Sequence, residues 1–507
     1  MSFIVWVAVS VLVMSLMLSA AGAAGPVGIF TDCADVGAPS SPGPGSAVFD
    51  ARKQTYSISG GGANMWGAAD AFHYVWKRVS GDVGLTASIE FVGASPQPHR
   101  KACLVFRQSL DPDSVYVDAA IHGDGLTSIQ WRQSRGGPTR EVQSHTAGPK
   151  RLRIEKRGNY CTLWIAGAGE ELRAAAASPR IVLEGEFLAG LAVCAHDANR
   201  IETALFSDVE LAPLPAASGP PTLLSVLETI SIGSGDRRAV YVAPLGQLIE
   251  APNWSADNFL YYNSNGRLYR IPAEVPGSPP SGGRTPEPID TGLATRLNND
   301  HGISPDGKLM AISDQTEEGR SLIYVVPIRG GAPRRLTPLG PSYFHGWSPD
   351  GRAVTYCGQR NGAFDIYTID IAGGQERRLT SASGKNDGPE YSPDGRYIYF
   401  NSDRTGNMQI WRMRPDGSQQ ERITNDEANN WFPHISPDGR YMVFLSYEKG
   451  VKDHPANKDV ALRLMDLQTM GVQTLTTLFG GQGTINVASW APNSRALAFV
   501  SYQVLAR

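Results

Sequence analysis

Positive charge is not in excess. Lys and Arg number 46 against 49 Asp and Glu, a net charge of −3, which removes the electrostatic case for a nucleic-acid partner. Cysteine is scarce: Cys33, Cys103, Cys161, Cys194 and Cys357 are the five present, and no two stand at CxxC or another metal-ligand spacing. The odd count leaves at least one unpaired within the chain. The four in the first half allow up to two disulfides in any pairing, or are small buried thiols. Long apolar runs are missing too, apart from Phe3 to Leu18. That run is shorter than the ~20 residues a bilayer span needs, no Lys or Arg precedes it, and an Ala-x-Ala site follows at Ala21 to Ala23. This predicts an export signal over residues 1–24, a periplasmic or secreted protein and no membrane span after cleavage. An uncleaved anchor is the alternative. No Gly-x-Ser-x-Gly elbow exists either: Gly346-Trp347-Ser348-Pro349 is followed by Asp350.

Turn-forming residues are abundant, with 55 Gly and 35 Pro, and they recur at regular intervals. NWSADN at Asn253, ISPDGK at Ile303, WSPDGR at Trp347, YSPDGR at Tyr391, ISPDGR at Ile435 and a decayed WAPNSR at Trp490 are copies of one corner. Ser304, Ser348, Ser392 and Ser436 are each 44 residues from the next. In the four Ser-Pro-Asp-Gly copies Pro presets φ, Asp caps the turn and Gly accepts positive φ. A period in the forties with strand-type alternation predicts a propeller with one four-stranded blade per repeat. The aspartates Asp306, Asp350, Asp394 and Asp438 are therefore turn formers, since calcium loops need alternating oxygen ligands.

Strand counting predicts how the ring closes. The sixth copy supplies strands near Trp490 and in ALAFVSY, and its third and fourth strands are missing downstream. VLETISI (Val226 to Ile232), GSGD and RRAVYVAP have the missing pattern upstream. Six blades are thus expected, the last completed by the segment after Val226, so that no weak seam remains. With the SPDG corners in place, Val226 to Arg507 resembles the TolB-like six-bladed propeller family, whose members include periplasmic biopolymer-transport proteins. The resemblance implies a fold and a possible place in envelope transport. Propellers of this kind also precede the catalytic domain of prolyl oligopeptidase-type peptidases; no α/β-hydrolase segment follows the repeats, so a complete peptidase of that type is not expected.

The Pro-rich stretch APLPAASGPPT, residues 212–222, reads as a linker between 25–211 and 223–507. Upstream, GLTASIEFVG, KACLVFRQS, VYVDAAIHG, LTSIQWRQ, CTLWIAG and GLAVCAHD are short alternating segments that predict an all-β sandwich. Their order, with SGGGANMWGAADAFHYVWKRVSG before them, resembles the concanavalin A-like lectin and glucanase jelly roll. The Glu-x-Asp-x-x-Glu cluster of the glucanases is absent, which points to a non-catalytic binding module. Trp66, Asp70, His73, Arg107, Asp118, His122 and Trp131 are its candidate sugar contacts, with packing as the alternative role for each.

In a propeller the first strand of each blade lines the central channel. Residues before the SPDG corners from different blades therefore converge. Those positions carry His301, His345, His434, Asp300, Asp387, Glu390 and Trp431, the candidate ligand-binding set. The three histidines are also candidate ligands for a divalent metal, and His454 in the inserted loop YEKGVKDHPANK is placed to reach the same mouth. The expected protein is an exported recognition or scaffold protein, more in keeping with a non-enzyme, that binds glycan or envelope-protein partners. The alternative is a metal-dependent enzyme resembling the oligogalacturonate lyases, with its site at the channel mouth.

Overall fold

A computed structural model describes residues 25–38, 42–277 and 284–505. The export signal expected over residues 1–24 lies outside them. All regular structure among the described residues is strand, as the alternating patterns predict, and among those residues no helix is long and apolar enough to cross a membrane.

The first half forms two antiparallel sheets around one core. Arg151–Arg157 shows the logic: Leu152 and Ile154 are buried, while Arg151, Arg153 and Glu155 are partly exposed, because successive side chains leave opposite faces of a strand. Seven strands make this sheet, including Val83–Phe91 and Glu202–Pro213. The facing sheet behaves differently. In its strand Lys101–Arg107 every residue is buried. Ala102, Leu104 and Phe106 enter the core shared with the first sheet, whereas Cys103 and Val105 pack on the opposite face against Met65, Phe72 and Tyr74. A strand covered on both sides loses its polar alternation.

That second covering explains several candidate sugar contacts. The carboxylate of Asp70 is clamped between Arg107 Nη1 at 3.2 Å and Arg132 Nη2 at 2.6 Å, with all three side chains fully buried. His73 Nδ1 is 2.7 Å from Asp35 Oδ1, and Trp131 belongs to the shared core. Asp70, Arg107, His73 and Trp131 therefore hold the fold together. All five cysteines are free and buried, in keeping with the thiol alternative.

Among the described residues the second half forms five four-stranded sheets, whose innermost strands pack against one another in succession. The SPDG corner is built the same way each time. Ser348 Oγ donates to Asp350 Oδ1 at 2.6 Å and accepts from Ala353 N at 2.9 Å, and Gly351 N donates to Ser348 O at 2.8 Å. Gly351 sits at φ +69, where a Cβ is strained. Ser304, Ser392 and Ser436 repeat the bond to Asp306, Asp394 and Asp438, so these serines are corner posts rather than nucleophiles. At the outer edge, Thr337, Thr380 and Thr424 each accept the backbone N–H of an isoleucine on the third strand.

Closure follows the predicted pairing. Thr222–Ser231 runs antiparallel to Ala496–Leu505 over ten residues, with Val226 opposite Ser501 and Ile230 opposite Leu497, and Arg237–Val242 follows on its other side. These three strands do not form a separate four-stranded sheet. The segment expected to supply the innermost strand is not a regular strand; it meets the last strand through the bridge Trp490–Leu497, Ala498 N to Ser489 O at 2.9 Å and Val500 N to Thr484 O at 3.1 Å. It is also bonded to both neighbours, among others by Ala251 N to Gly483 O at 2.7 Å and Trp490 Nε1 to His434 O at 3.0 Å. The closing strands are also the edge of the ten-stranded sheet of the first half, because Thr139–Gln143 pairs parallel with Arg237–Val242 through Val142 and Gln143.

Glu228 ties the closing strands together. Its carboxylate accepts Arg237 Nε at 2.9 Å and Nη2 at 2.7 Å, together with the Ser501 hydroxyl, and both charged side chains are almost wholly buried. Removing one partner of such a pair strands the other without solvent. Glu228→Ala is expected to lower stability by about 3–5 kcal/mol, measured as a reduced denaturant midpoint at unchanged slope. A loss below about 1 kcal/mol, the scale of an exposed pair, contradicts this.

Candidate functional site

The five innermost strands are Glu250–Trp254, Leu297–Ile303, Ser342–Trp347, Asn386–Tyr391 and Asn429–Ile435. Each carries a register shift against its neighbour, at Glu250/Asn253, Leu297/His301, Phe344/Gly346, Asp387/Glu390 and Trp431/His434. A bulge re-aims the side chains around it. Three of the five bulges place a residue before proline at positive φ: Ala251 at +52, Gly388 at +59 and Phe432 at +54. For Ala251 and Phe432 this is a strained backbone, held in place by the surrounding sheets.

At the end where the corner prolines Pro305, Pro393 and Pro437 gather, a cavity of about 230 Å³ is lined by Asn253, His301, His345 and Glu390. His301 Nδ1 donates to Asn253 Oδ1 at 2.6 Å, and Asn253 Nδ2 donates to Ala488 O at 2.8 Å. The His301 Nε2 is left without a partner, and burial pushes the imidazole down to about 3, so it stays neutral as an acceptor. His434 has both ring nitrogens occupied, Nδ1 by Glu390 Oε2 at 2.5 Å and Nε2 by the Ile485 carbonyl at 2.6 Å.

Toward the starts of the inner strands, away from the corner prolines, lies a second group. His345 Nε2 is 3.3 Å from Asp387 Oδ1, and the other Asp387 oxygen is 3.7 Å from Lys385 Nζ and 3.9 Å from His454 Nε2. Burial would raise Asp387, but the His345 hydrogen bond and the Lys385 charge hold it well below the usual carboxylate range. His345 is raised: burial opposes its charge, and Asp387 and Asp300 outweigh that. Asp300 is pushed up to about 7 by burial, with Asp387 and Glu250 adding repulsion against the pull of His345. Glu250 is raised by burial, although it accepts Asn299 Nδ2 at 3.0 Å and Asn263 Nδ2 at 3.3 Å. From Asn299 the chain of bonds continues to Gln482, which is bonded in turn to His454 and to Asn486.

Sequence comparison places this arrangement. The TolB beta propeller domain model matches residues 340–506. An uncharacterized protein of Agrobacterium fabrum is 53% identical over 288 residues, which span 56% of this chain and 95% of that one. The chain belongs to the TolB beta-propeller family. A solved structure of a "putative TolB" from Agrobacterium tumefaciens is 52% identical, covering 56% of this chain and 99% of its own with a TM-score of 0.52. TolB from Acinetobacter baumannii is similar at 19% identity and a TM-score of 0.37, over 61% of this chain and 69% of that one.

Within this TolB-type propeller, the expected residues fall into two groups. Asp300, His345 and Asp387 are brought together, and His454 joins them, its ring 4.5 Å from Trp431 and 5.2 Å from Phe432 between centroids. His434 pairs with Glu390, and His301 with Asn253. The three histidines thus face different partners, and no group of three or more His, Cys, Asp or Glu among the described residues is disposed to hold a metal ion. The bulges are the reason. They break the phase between the corner serine and the residues before it, so a shared offset in sequence is not a shared direction in space. Glu250, Asn253, Asn299 and Lys385 belong to the channel as well and lie outside the expected set. Glu250-Ala-Pro-Asn253 and Asp387-Gly-Pro-Glu390 have the same form, a signal that would have found the first two.

Asp300 and Asp387 predict opposite responses to pH. Asp300 ionises less readily folded than unfolded, so the folded state retains its proton between pH ~4 and ~7 and stability falls as pH rises through that window. Asp387 ionises more readily when folded, so its contribution is complete above its ordinary value of 3.8. Asp300→Asn should therefore gain on the wild type by roughly 2–3 kcal/mol between pH 5 and pH 8, whereas Asp387→Asn should be destabilised by a similar amount at both. Parallel thermal melts of the two variants check this; equal pH profiles would rule it out.

Proposed function

We propose that the protein is an exported, non-catalytic recognition and scaffold protein of the periplasm or cell exterior. Its propeller would engage an envelope-protein partner at the channel mouth, and its first half a glycan. The observation that carries this reading is that the channel's titratable groups, the free Nε2 of His301 excepted, are tied to one another. His434, Glu390, His301 and Asp387 are engaged in bonds between neighbouring sheets, which suits a rigid binding surface better than acid–base turnover. The finer architecture belongs to the same proposal. The strands after Thr222 and the last strand would make a sixth blade with residues 482–490 as its inner edge. The two-sheet body over 25–211 would be a concanavalin A-like jelly roll, joined through 212–222 to the propeller over 223–507. Asp300, His345, Asp387 and Trp431, with Lys385 and His454, would form the ligand-facing set at the mouth, with His301, His434 and Glu390 supporting it. A metal-dependent lyase would need a metal-holding cluster at this place, and the described residues form none.

Asp453 stands at the mouth, exposed, with its carboxylate 2.7 Å from Lys385 Nζ. A photo-crosslinking residue at Asp453, in protein expressed with its own first 24 residues, should give a discrete adduct in the envelope fraction. Lys385→Glu should weaken that adduct several-fold. Adducts equal to those from a crosslinker at Arg422, on an outer edge strand, or retention of the protein in the cytoplasm, would contradict the proposal.

A further inference from the structure

Outside the channel, a cavity of about 560 Å³ lies on the ten-stranded sheet of the first half, on the face turned away from the shared core. Strand register builds it. Lys101 stands opposite His122, and Gln130 stands opposite both Asp118 and Glu141 on the adjoining strands. Polar side chains from four neighbouring strands are thus ranked side by side, while the alternate residues Leu104, Ala119, Ile129 and Val142 fill the core behind them. Trp66 and Asn64, from the loop that covers the sheet, close one side, and His99 and His196 form the rim.

Hydrogen bonds already engage Lys101 and Glu141 here. Lys101 has three N–H donors, and all three are occupied, by Asn64 Oδ1 at 3.1 Å, Met65 O at 3.2 Å and Gln130 Oε1 at 3.1 Å. Glu141 accepts Gln130 Nε2 at 3.2 Å and Gln143 Nε2 at 2.5 Å, and burial raises its affinity for a proton. Burial, with Lys101 beside it, holds His122 well below its ordinary value, and His196 is lowered for the same reasons, so these rings are neutral. Recognition of a phosphate, carboxylate or ammonium group needs a charged group with hydrogen-bonding capacity to spare; Lys101 has its three donors taken, and Asp118, whose two oxygens have no partner, is pushed up to about 8 by burial and so keeps its proton at neutral pH.

Uncharged donors and acceptors remain, beside aromatic surface. His122 Nε2 lies 3.4 Å from Gln130 Nε2, while its Nδ1 has no partner, in a residue only 5% exposed. The His99 ring packs 6.0 Å from His122 and 5.4 Å from His196, and Trp66 adds an indole. Neutral hydrogen-bonding groups beside an aromatic face suit a ligand that has hydroxyls on its edge and C–H groups on its face. The propeller contributes as well: Gly277 N donates to Gln143 Oε1 at 3.1 Å, and Gly277 itself lines the cavity.

We propose that this cavity, floored by the first half and walled on one side by the propeller, binds a neutral polyhydroxylated ligand of one or two sugar rings. The assignment rests on the glycan part of the proposed function and is independent of the channel mouth. Calorimetric titration of the full chain with cellobiose, N,N′-diacetylchitobiose and maltose, and with digalacturonate as the anionic comparison, tests it. At least one neutral disaccharide should bind saturably, and Trp66→Ala should weaken it about tenfold or more. His99→Ala, at an exposed rim position, should weaken it with folding intact, and Gln143→Leu should do so by loosening the propeller's wall. Binding that survives all three substitutions leaves a glycan-binding protein but removes this cavity. Preference for digalacturonate overturns the charge argument. No binding of any neutral disaccharide up to ~10 mM overturns the site and the glycan reading together, while the envelope-crosslinking result stands apart.

Discussion

The pairing of Thr222–Ser231 with Ala496–Leu505 is the constraint on which the rest depends. Those strands are separated by some 270 residues of chain, as Glu228 and Ser501 show with a separation of 273. Bringing them together carries a large loop-closure entropy, which ten paired residues and a buried ion pair must offset. Once they meet, the innermost strands are held around a common axis, and histidines from separate repeats face one channel. Without that seam each four-stranded sheet would keep its internal bonds but lose its neighbours, and neither the Asp300–His345–Asp387 group nor the cavity around Asn253 would exist.

The same seam unites the halves. Arg237–Val242 pairs with Thr222–Ser231 on one side and with Thr139–Gln143 on the other, so the closing strands and the first half share one sheet. Arg238 and Gln143 extend this link toward Glu274 and Gly277. A ligand in the first half would therefore sit against a wall whose position is set by propeller closure. This is a physical route by which the two proposed binding surfaces would be kept in fixed relation.

Much of this was legible in the sequence because it is local. The corner Ser-Pro-Asp-Gly contains its own hydrogen bonds, from Ser348 to Asp350 and Ala353, and needs no distant partner. The closing pair was also legible, since two half-units at the ends of one repeat array have a single way to complete each other. The parallel pairing of Val142 with Arg237 had no such signal: it joins two unlike halves, and no local pattern announces a non-local parallel contact. The candidate sugar contacts illustrate the same limit. Asp70 and Arg107 look like binding residues because they are charged on apolar strands, yet Arg132, far along the chain, neutralises Asp70. The channel histidines stand just before their corner serines yet meet different partners, since a bulge shifts the phase of a strand. Lys385, Glu250 and Asn299 were overlooked because polar residues before a turn read as part of the turn.

Amide hydrogen exchange across the seam tests the central claim most directly. If the chain's closing strands stabilise the whole ring, peptides covering residues 222–231 and 496–505 exchange at the same slow, global rate, and a proline in place of Ile230 releases both together with the inner strand at 429–435. If residues 222–231 exchange orders of magnitude faster while 496–505 stays protected, the seam is not what closes the ring.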